Sequence, residues 1–158
     1  MNPSAHIHRV GVEQVRPLRH AVLRAGRPAD ESIYPQDSEP DTMHLAAFDD
    51  DGRLAACGTF FPESCDGRPA WRLRGMVSAP QVRGRGFAGA LLAEGIARLR
   101  ADGVRLLWCN ARTPALAFYR SFGFVTMGEE FAVAGVPHYR AELELTGSAD
   151  VPENGIST

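Results

Sequence analysis

Hydrophobic positions follow two different spacings along the first part of the chain. A short alternation over residues 7–10 predicts a first strand. Val15, Leu18 and Val22 then recur at spacings of three and four, which predicts a helix that ends at Gly26. Residues 27–42 hold three prolines and many polar side chains, so we expect a long surface loop there with at most one turn of helix.

Alternating segments dominate the middle of the chain and predict a three-stranded meander. Residues 43–48 and 53–61 flank an acidic turn that ends in Gly52, a residue that suits a tight hairpin. A second turn leads into residues 71–78, and Pro80 ends that strand.

Helical and strand patterns alternate in the second half. An amphipathic helix is predicted over residues 84–100 and a buried strand over 104–109. A helix over 113–122 and two strands near 124–133 and 139–145 complete the pattern. This order of strands and helices predicts an α/β fold whose sheet is mixed in direction.

Composition fits one folded domain followed by a tail. The 158 residues are 44% hydrophobic and 23% charged, close to the average for soluble domains. We expect one domain over residues 1–145 and a flexible polar tail over 146–158.

Charge and cysteine usage exclude several classes of function. The net charge of −2 gives no basic face for nucleic acid, and no apolar run is long enough to cross a membrane or to act as a signal peptide. We therefore expect a cytoplasmic protein. Cys57, Cys65 and Cys109 are odd in number and lack metal-ligand spacing, so neither a disulfide framework nor a metal site is expected.

A glycine- and arginine-rich segment at residues 81–89 lies at the junction of a predicted strand and a predicted helix. Such a turn exposes unpaired backbone N–H groups, and the guanidinium groups of Arg83 and Arg85 add positive charge. Gly84 and Gly86 let a pyrophosphate approach the backbone. The segment therefore predicts a site for a ligand that carries phosphates.

The same glycines also satisfy the dinucleotide fingerprint of oxidoreductases, with Gly89 as the third glycine. That fingerprint requires an acidic residue about 20 positions further on. Here the next predicted strand leads into Cys109 and Asn110, neither of which is acidic. The meander before the loop also replaces the βαβ unit that the fingerprint needs, so the context disfavours an oxidoreductase.

The segment Gln81, Gly84 and Gly86 instead resembles the loop motif of the GNAT family of N-acetyltransferases. Residues 73–80, Asn110 and residues 117–124 resemble further family motifs in the same order, so the resemblance covers about 70–145. It implies a single-domain acyl-CoA N-acyltransferase fold, with a mixed central sheet of six or seven strands flanked by helices.

The resemblance implies acetyl-CoA as the co-substrate, a small amine as the acceptor and no metal. It also implies that two copies of the chain can form a homodimer through the last strands. The residues that it assigns to acetyl-CoA are Met76, Val77, Ser78, Arg83, Gly84, Arg85, Gly86, Phe87, Ala88, Gly89, Asn110 and Phe118.

Tyr119 matches the family position whose phenol gives a proton to the departing thiolate. The alternative is that Tyr119 belongs to an aromatic core with Phe118, Phe122 and Phe124. The alternative for Asn110 is a purely structural role as a cap or turn residue.

The base that takes the proton of the amine stays open at this stage. The meander strand carries Arg72 and Arg74 where many family members have a glutamate. Glu130 and His138 are the first candidates, and the neighbouring Glu129 could also act as the base. Either glutamate could instead bind a cationic substrate, and the alternative for His138 is an exposed turn residue. Because of the missing glutamate, a non-catalytic module that binds acetyl-CoA as a sensor also stays open.

Two features are expected to concern the acceptor. Arg72 and Arg74 share one face of their strand, so they either point toward an acidic acceptor or lie on a solvated face. The family uses its early loops for substrate choice, which draws attention to Glu31 and Tyr34 in the loop 27–42.

Overall fold

The computed structural model describes residues 6–146, so the predicted tail lies outside the described residues from position 147 onward. The described residues form an α/β fold with a seven-stranded sheet, as the sequence predicts. The strands are β1 (Ile7–Val10), β2 (Met43–Phe48), β3 (Leu54–Pro62), β4 (Trp71–Ser78), β5 (Leu106–Arg112), β6 (Val125–Val133) and β7 (Val136–Glu144). Their order in the sheet is β1-β2-β3-β4-β5-β7-β6. The α-helices of this part of the chain are α1 (Val12–Leu23), α2 (Phe87–Ala101) and α3 (Leu116–Arg120).

Residues 6–62 and 73–95 form one compact unit that contains the predicted meander. β1 pairs with β2 and β2 with β3, both antiparallel, with Ile7 opposite Ala47 and Leu45 opposite Gly58. Val15 of α1 lies in the core of this unit, where it is fully buried against β2 and β3. The amphipathic spacing of α1 therefore serves to cover the sheet.

Residues 63–72 and 96–146 form a second compact unit. β7 pairs antiparallel with β5 on one side and with β6 on the other. Leu106 lies opposite Glu144, and Leu106 and Trp108 pack in a buried cluster with Cys65 and Ala70. The apolar run that predicts a buried strand is thus the core strand of this unit.

Two predicted boundaries in the second half are wrong. Helix α2 begins at Phe87 rather than at Gly84, because Gly84 and Gly86 adopt positive φ angles of 82° and 89°, which no right-handed helix contains. Strand β5 continues to Arg112, so Asn110 lies inside a strand and not at its end. In the antiparallel register Asn110 stands opposite Arg140.

The loop at residues 27–42 holds more helix than the one turn predicted, and part of it is buried. Two short 3-10 helices, Ala29–Ser32 and Pro35–Ser38, lie within it. Tyr34 and Asp37 are 7% exposed and thus belong to the interior. Asp37 can be buried because its carboxylate pairs with Arg19, a buried arginine of α1.

The last helix and the last strand also differ in extent from their predictions. Residues 113–115 form a 3-10 turn, and α3 proper spans only Leu116–Arg120. Strand β7 begins at Val136, so His138 lies in a strand rather than in a turn. No helix among residues 6–146 is long and apolar enough to cross a membrane.

Candidate active site

The glycine loop forms an open backbone surface at the start of α2. A Cβ atom built on Gly84 or on Gly86 would meet no atom within 4 Å, so the space above both residues is empty. Arg83 and Arg85 flank these glycines with exposed side chains. The first turn of a helix leaves N–H groups without intrahelical partners, and its dipole is positive there. The loop thus combines room, donors and positive charge, which fits a pyrophosphate group.

Strand β4 departs from regular strand conformation at Gly75, just before the residues assigned to the pantetheine arm. Gly75 has a φ of +67°, a backbone conformation typical of glycine at β-bulges. Met76 and Ser78 are half-buried and Val77 is buried behind them. A strand whose regular pairing is interrupted by such a bulge can offer N–H and C=O groups to a ligand.

Arg72 and Arg74 do not form the solvated face that is one of their two predicted roles. The Arg74 guanidinium carbon lies 3.8 Å from the centre of the Tyr34 ring. The Arg72 guanidinium lies 4.7 Å from the Trp108 ring and 3.4 Å from the carboxylate of Glu63. Both cations are thus stacked on aromatic faces within the protein.

Tyr119 is buried between aromatic neighbours. Its ring meets Phe118 at 5.2 Å and Phe124 at 5.3 Å between centroids, both in edge-to-face geometry. Burial raises the pKa of its phenol well above the usual range, and the nearby Cys109 thiol adds to that shift. The phenol therefore keeps its proton, which is the state that a proton donor needs.

Two more assigned residues belong to β5 and α3. Asn110 is half-buried between Cys109 and Ala111, which are both buried. Phe118 is half-buried and also contacts Phe122, at 5.4 Å between ring centroids. Phe118 is therefore part of the aromatic cluster around Tyr119, as the alternative for Tyr119 predicts.

The two candidate bases lie on β6 and β7. Glu130 is exposed and accepts a hydrogen bond from the Thr113 hydroxyl at 2.8 Å. His138 is half-buried, and its Nδ1 lies 2.7 Å from the Val136 carbonyl oxygen. Because a carbonyl oxygen only accepts, Nδ1 carries the proton, and a neutral ring presents Nε2 as a proton acceptor. Nε2 is therefore the nitrogen through which His138 could accept a proton.

The assigned residues divide between the two compact units. Residues 76–78 and 83–89 belong to the first unit, whereas Asn110, Phe118, Tyr119, Glu130 and His138 belong to the second. Within the second unit, the ring of Phe131, which follows Glu130, stacks on the His138 imidazole at 6.1 Å. The candidate acid and the candidate bases are therefore carried by the same unit.

A family model described as Acetyltransferase (GNAT) family matches residues 12–124. This range includes β4, the glycine loop, Asn110 and Tyr119. The chain belongs to the GNAT family. Membership confirms the resemblance seen in the motifs and identifies the chain as an N-acetyltransferase. It also excludes the oxidoreductase alternative for the three glycines.

A relative agrees with the GNAT assignment, and solved structures share the fold. The uncharacterized N-acetyltransferase YitI of Bacillus subtilis is 29% identical over 133 residues, which are 82% of this chain and 89% of YitI. An aminoglycoside 6'-N-acetyltransferase solved with coenzyme A has the same fold, with a TM-score of 0.70 and 13% identity over 87% of this chain and 96% of that one. The acyl-homoserine lactone synthase BjaI, solved with SAM and isopentyl-CoA, gives a TM-score of 0.71 at 18% identity, over 89% of this chain and 83% of BjaI.

Sequence reasoning missed a buried polar network in the first unit of this GNAT chain. Arg19 is 1% exposed and donates to both carboxylate oxygens of Asp37, to the Ser32 carbonyl and to the Thr59 hydroxyl. His44 joins the network through Thr59, at 2.9 Å. The helical spacing of α1 places position 19 beside the apolar stripe, which was the one signal available.

The network also touches the strand that leads to the assigned pantetheine residues. The Arg19 guanidinium lies 3.9 Å from the Tyr34 ring. A Cβ atom on Gly75 would lie 3.0 Å from Arg19 Nε and 3.3 Å from the Tyr34 hydroxyl. Loop 27–42 is therefore packed directly on β4.

The three cysteines are free thiols in the described chain, and all three are buried. Burial raises the pKa of the Cys57 and Cys109 thiols to about 12. Such thiols stay protonated and are poor nucleophiles.

Proposed function

We propose that this GNAT chain transfers an acetyl group directly from acetyl-CoA to the nitrogen of a small amine. The observation that carries the proposal is the open backbone at Gly84 and Gly86 between two exposed arginines at the start of α2. Acetyl-CoA would supply the acetyl thioester. The aminoglycoside acetyltransferase that shares the fold was solved with coenzyme A, which also supports a CoA ester as the donor.

The residues that would hold acetyl-CoA are those of β4 and the glycine loop. Gly84, Gly86 and the N–H groups at residues 87–89 would bind the pyrophosphate, with Arg83 and Arg85 adding charge. The backbone of Met76, Val77 and Ser78 would pair with the pantetheine arm, together with Asn110 and Phe118. An N–H of this strand would stabilise negative charge on the thioester oxygen.

The catalytic residues of the proposal move two protons. His138 or Glu130 would take one proton from the ammonium, directly or through a water molecule. Tyr119 would give a proton to the sulfur that leaves, while an amide C–N bond replaces the C–S bond, and the second proton that the nitrogen loses would restore the phenol of Tyr119. The protonated phenol of Tyr119 and the Nδ1–H tautomer of His138 support these roles.

Release of free thiol from acetyl-CoA in the presence of an amine panel tests the proposal. We expect thiol release that depends on both the amine and the chain. If the chain binds acetyl-CoA but no amine causes thiol release, the result would favour the sensor alternative. The homodimer and the cytoplasmic location stay predictions, and light scattering of the purified chain tests the first.

A further inference from the structure

A groove of about 400 Å³ opens between β6, β7 and the turn that follows Cys65. Its volume falls in the range of small-molecule sites. All of its walls belong to the second compact unit, which also carries Tyr119 and His138. Its lining includes Asp66, Met127, Glu129, Phe131, Arg140 and Glu142.

A break in the pairing of β6 with β7 creates the groove. Met127 stands opposite Arg140 and Phe131 opposite His138, so three residues of β6 face one residue of β7. Gly128, the first of the three, has a φ of +74°. Bulges bend a strand, re-aim its side chains and are common beside active sites.

Two apolar side chains that line the groove are exposed to solvent. Met127 is 43% exposed and Phe131 is 37% exposed. The Phe131 ring also stacks on the imidazole of His138, with 24° between the planes. Large apolar side chains exposed side by side within a concave surface mark a binding site. Phe131 therefore links the lining of the groove to the candidate base His138.

The charge of the groove is negative. Asp66, Glu129 and Glu142 contribute three carboxylates against the one guanidinium of Arg140, which leaves a formal charge of −2. Arg140 donates to Asp66 at 3.0 Å and lies 3.6 Å from Glu142, so its charge is already engaged within the protein. The surplus negative charge complements a ligand that is positively charged.

A metal ion does not fit the acidic end of the groove. Cys65, Asp66 and Glu142 could each offer one ligand atom, and these atoms lie within 4.8 Å of one another. The Arg140 guanidinium already lies among them and donates to Cys65 and Asp66. Burial and the neighbouring Glu142 raise the pKa of the Cys65 thiol, so it stays protonated. An organic cation at the open face of the groove is the better match.

We propose that this groove holds a second positive charge of the acceptor, so that the preferred acceptors are amines with two or more cationic groups joined by an apolar linker. The inference rests on the proposed function and narrows its acceptor class. The linker would lie on Met127 and Phe131, with the distal cation near Glu129 and the reacting amine toward His138. Acceptors that carry a carboxylate, such as amino acids, are disfavoured by the same negative charge.

Three probes of equal length test the inference without acetyl-CoA: hexane-1,6-diamine, hexylamine and 6-aminohexanoate. They differ only in the distal group, which is cationic, apolar or anionic. In titrations followed by backbone amide signals, we expect the diamine to bind tightest and 6-aminohexanoate weakest, with the largest changes at residues 127–131. Equal affinity for all three, or no binding by any, would overturn the inference; a second copy of this chain covering the groove would give the latter result.

Variants that each remove one carboxylate test whether the preference for the diamine arises in the groove. Glu129→Gln should weaken diamine binding about 2–5-fold, the range for an exposed ion pair, and should leave hexylamine unchanged. Added salt should reduce the difference between the two probes. The matched control is Glu144→Gln on β7, an exposed carboxylate that pairs with Arg68 and does not line the groove. An equal effect of both variants would contradict a local role for the groove.

Thiol release with the same three compounds separates failure of the inference from failure of the proposed function. We expect the lowest KM for the diamine and a rise in that KM, without a matching fall in kcat, in Glu129→Gln. Turnover of hexylamine with equal kcat/KM would overturn the inference and leave acetyl transfer intact. Selective diamine binding with no thiol release would instead support the groove and contradict the proposed function.

Discussion

Arg19 and Asp37 form a two-pronged ion pair inside the first compact unit, with N···O distances of 2.8 and 3.1 Å. Their side chains are 1% and 3% exposed. The pair joins α1 to the loop 27–42, and Arg19 contacts β3 through Thr59. When one partner of a buried ion pair is removed, no water is present to stabilise the charge that remains.

The first prediction is that Asp37→Asn destabilises the fold by about 3–5 kcal/mol, because it leaves the Arg19 charge buried without a counter-charge. Urea unfolding measures the difference. The control is Glu31→Gln, which breaks the exposed pair with Arg27 and should cost less than about 1 kcal/mol. Similar losses in both variants would mean that the buried pair contributes no more than a surface one.

The second prediction is that stability falls in mild acid. Burial lowers the pKa of His44 below the usual histidine value of about 6.5. Burial alone would raise the pKa of Asp37, but hydrogen bonds from Arg19 and the Tyr34 N–H bring it below its usual value. In both cases the unfolded chain binds more protons, so the stabilisation is complete above the unfolded pKa and is lost as the pH falls through the folded one.

Urea unfolding between pH 8 and pH 4 checks this dependence. The free energy of unfolding should fall below about pH 6.5, first because His44 titrates in the unfolded chain and then because of Asp37. His44→Gln should flatten the upper part of the curve. A flat curve in the unaltered chain would contradict the network as described.

The third prediction concerns the glycine loop. Gly84→Ala should weaken acetyl-CoA binding, because the Cβ occupies the space above the backbone and the positive φ costs an alanine about 1–2 kcal/mol. Gly103→Ala is the matched control, since Gly103 follows the other end of α2 with a φ of +84° and equally open space. Calorimetric titration should show weaker binding in Gly84→Ala alone. Equal affinities in the two variants would argue against a phosphate site at the loop.

The fourth prediction is that Tyr119→Phe slows thiol release about 100-fold or more while acetyl-CoA affinity stays close to that of the unaltered chain. Because burial raises the pKa of Tyr119 well above its usual value of 10.0, its protonation should not limit the rate at pH 9. Tyr139→Phe, a half-buried tyrosine of β7, serves as the control. Unchanged kinetics in Tyr119→Phe would place Tyr119 in the aromatic core alone.

The sequence predicted best where local pattern determines structure. The meander follows from alternation and from Gly52, whose φ is +81°, and Gly84 and Gly86 stand between a strand and a helix, as their motif predicts. The family assignment depends on the same motifs and is confirmed by the match over residues 12–124.

Features that depend on contacts between residues far apart in the sequence were not predicted. Loop 27–42 reads as a polar surface segment, yet Asp37 is buried because Arg19, 18 positions earlier, supplies its charge partner. Asn110 looks like a strand end because it is polar, but pairing with Arg140 continues β5 to Arg112. The groove depends on a bulge between Met127 and Phe131. The bulge can be recognised only from the register in which β6 pairs with β7.

A thermal melt of the purified chain with saturating acetyl-CoA, and with NADH as the control, shows whether the chain binds a CoA ester. At about 100 times its dissociation constant a ligand adds roughly 2.7 kcal/mol of stability, or about 5–10 °C for a chain of this length. The account predicts a rise of that size with acetyl-CoA and none with NADH. No rise with acetyl-CoA in a folded chain would contradict the assignment of the glycine loop and the transfer chemistry built on it.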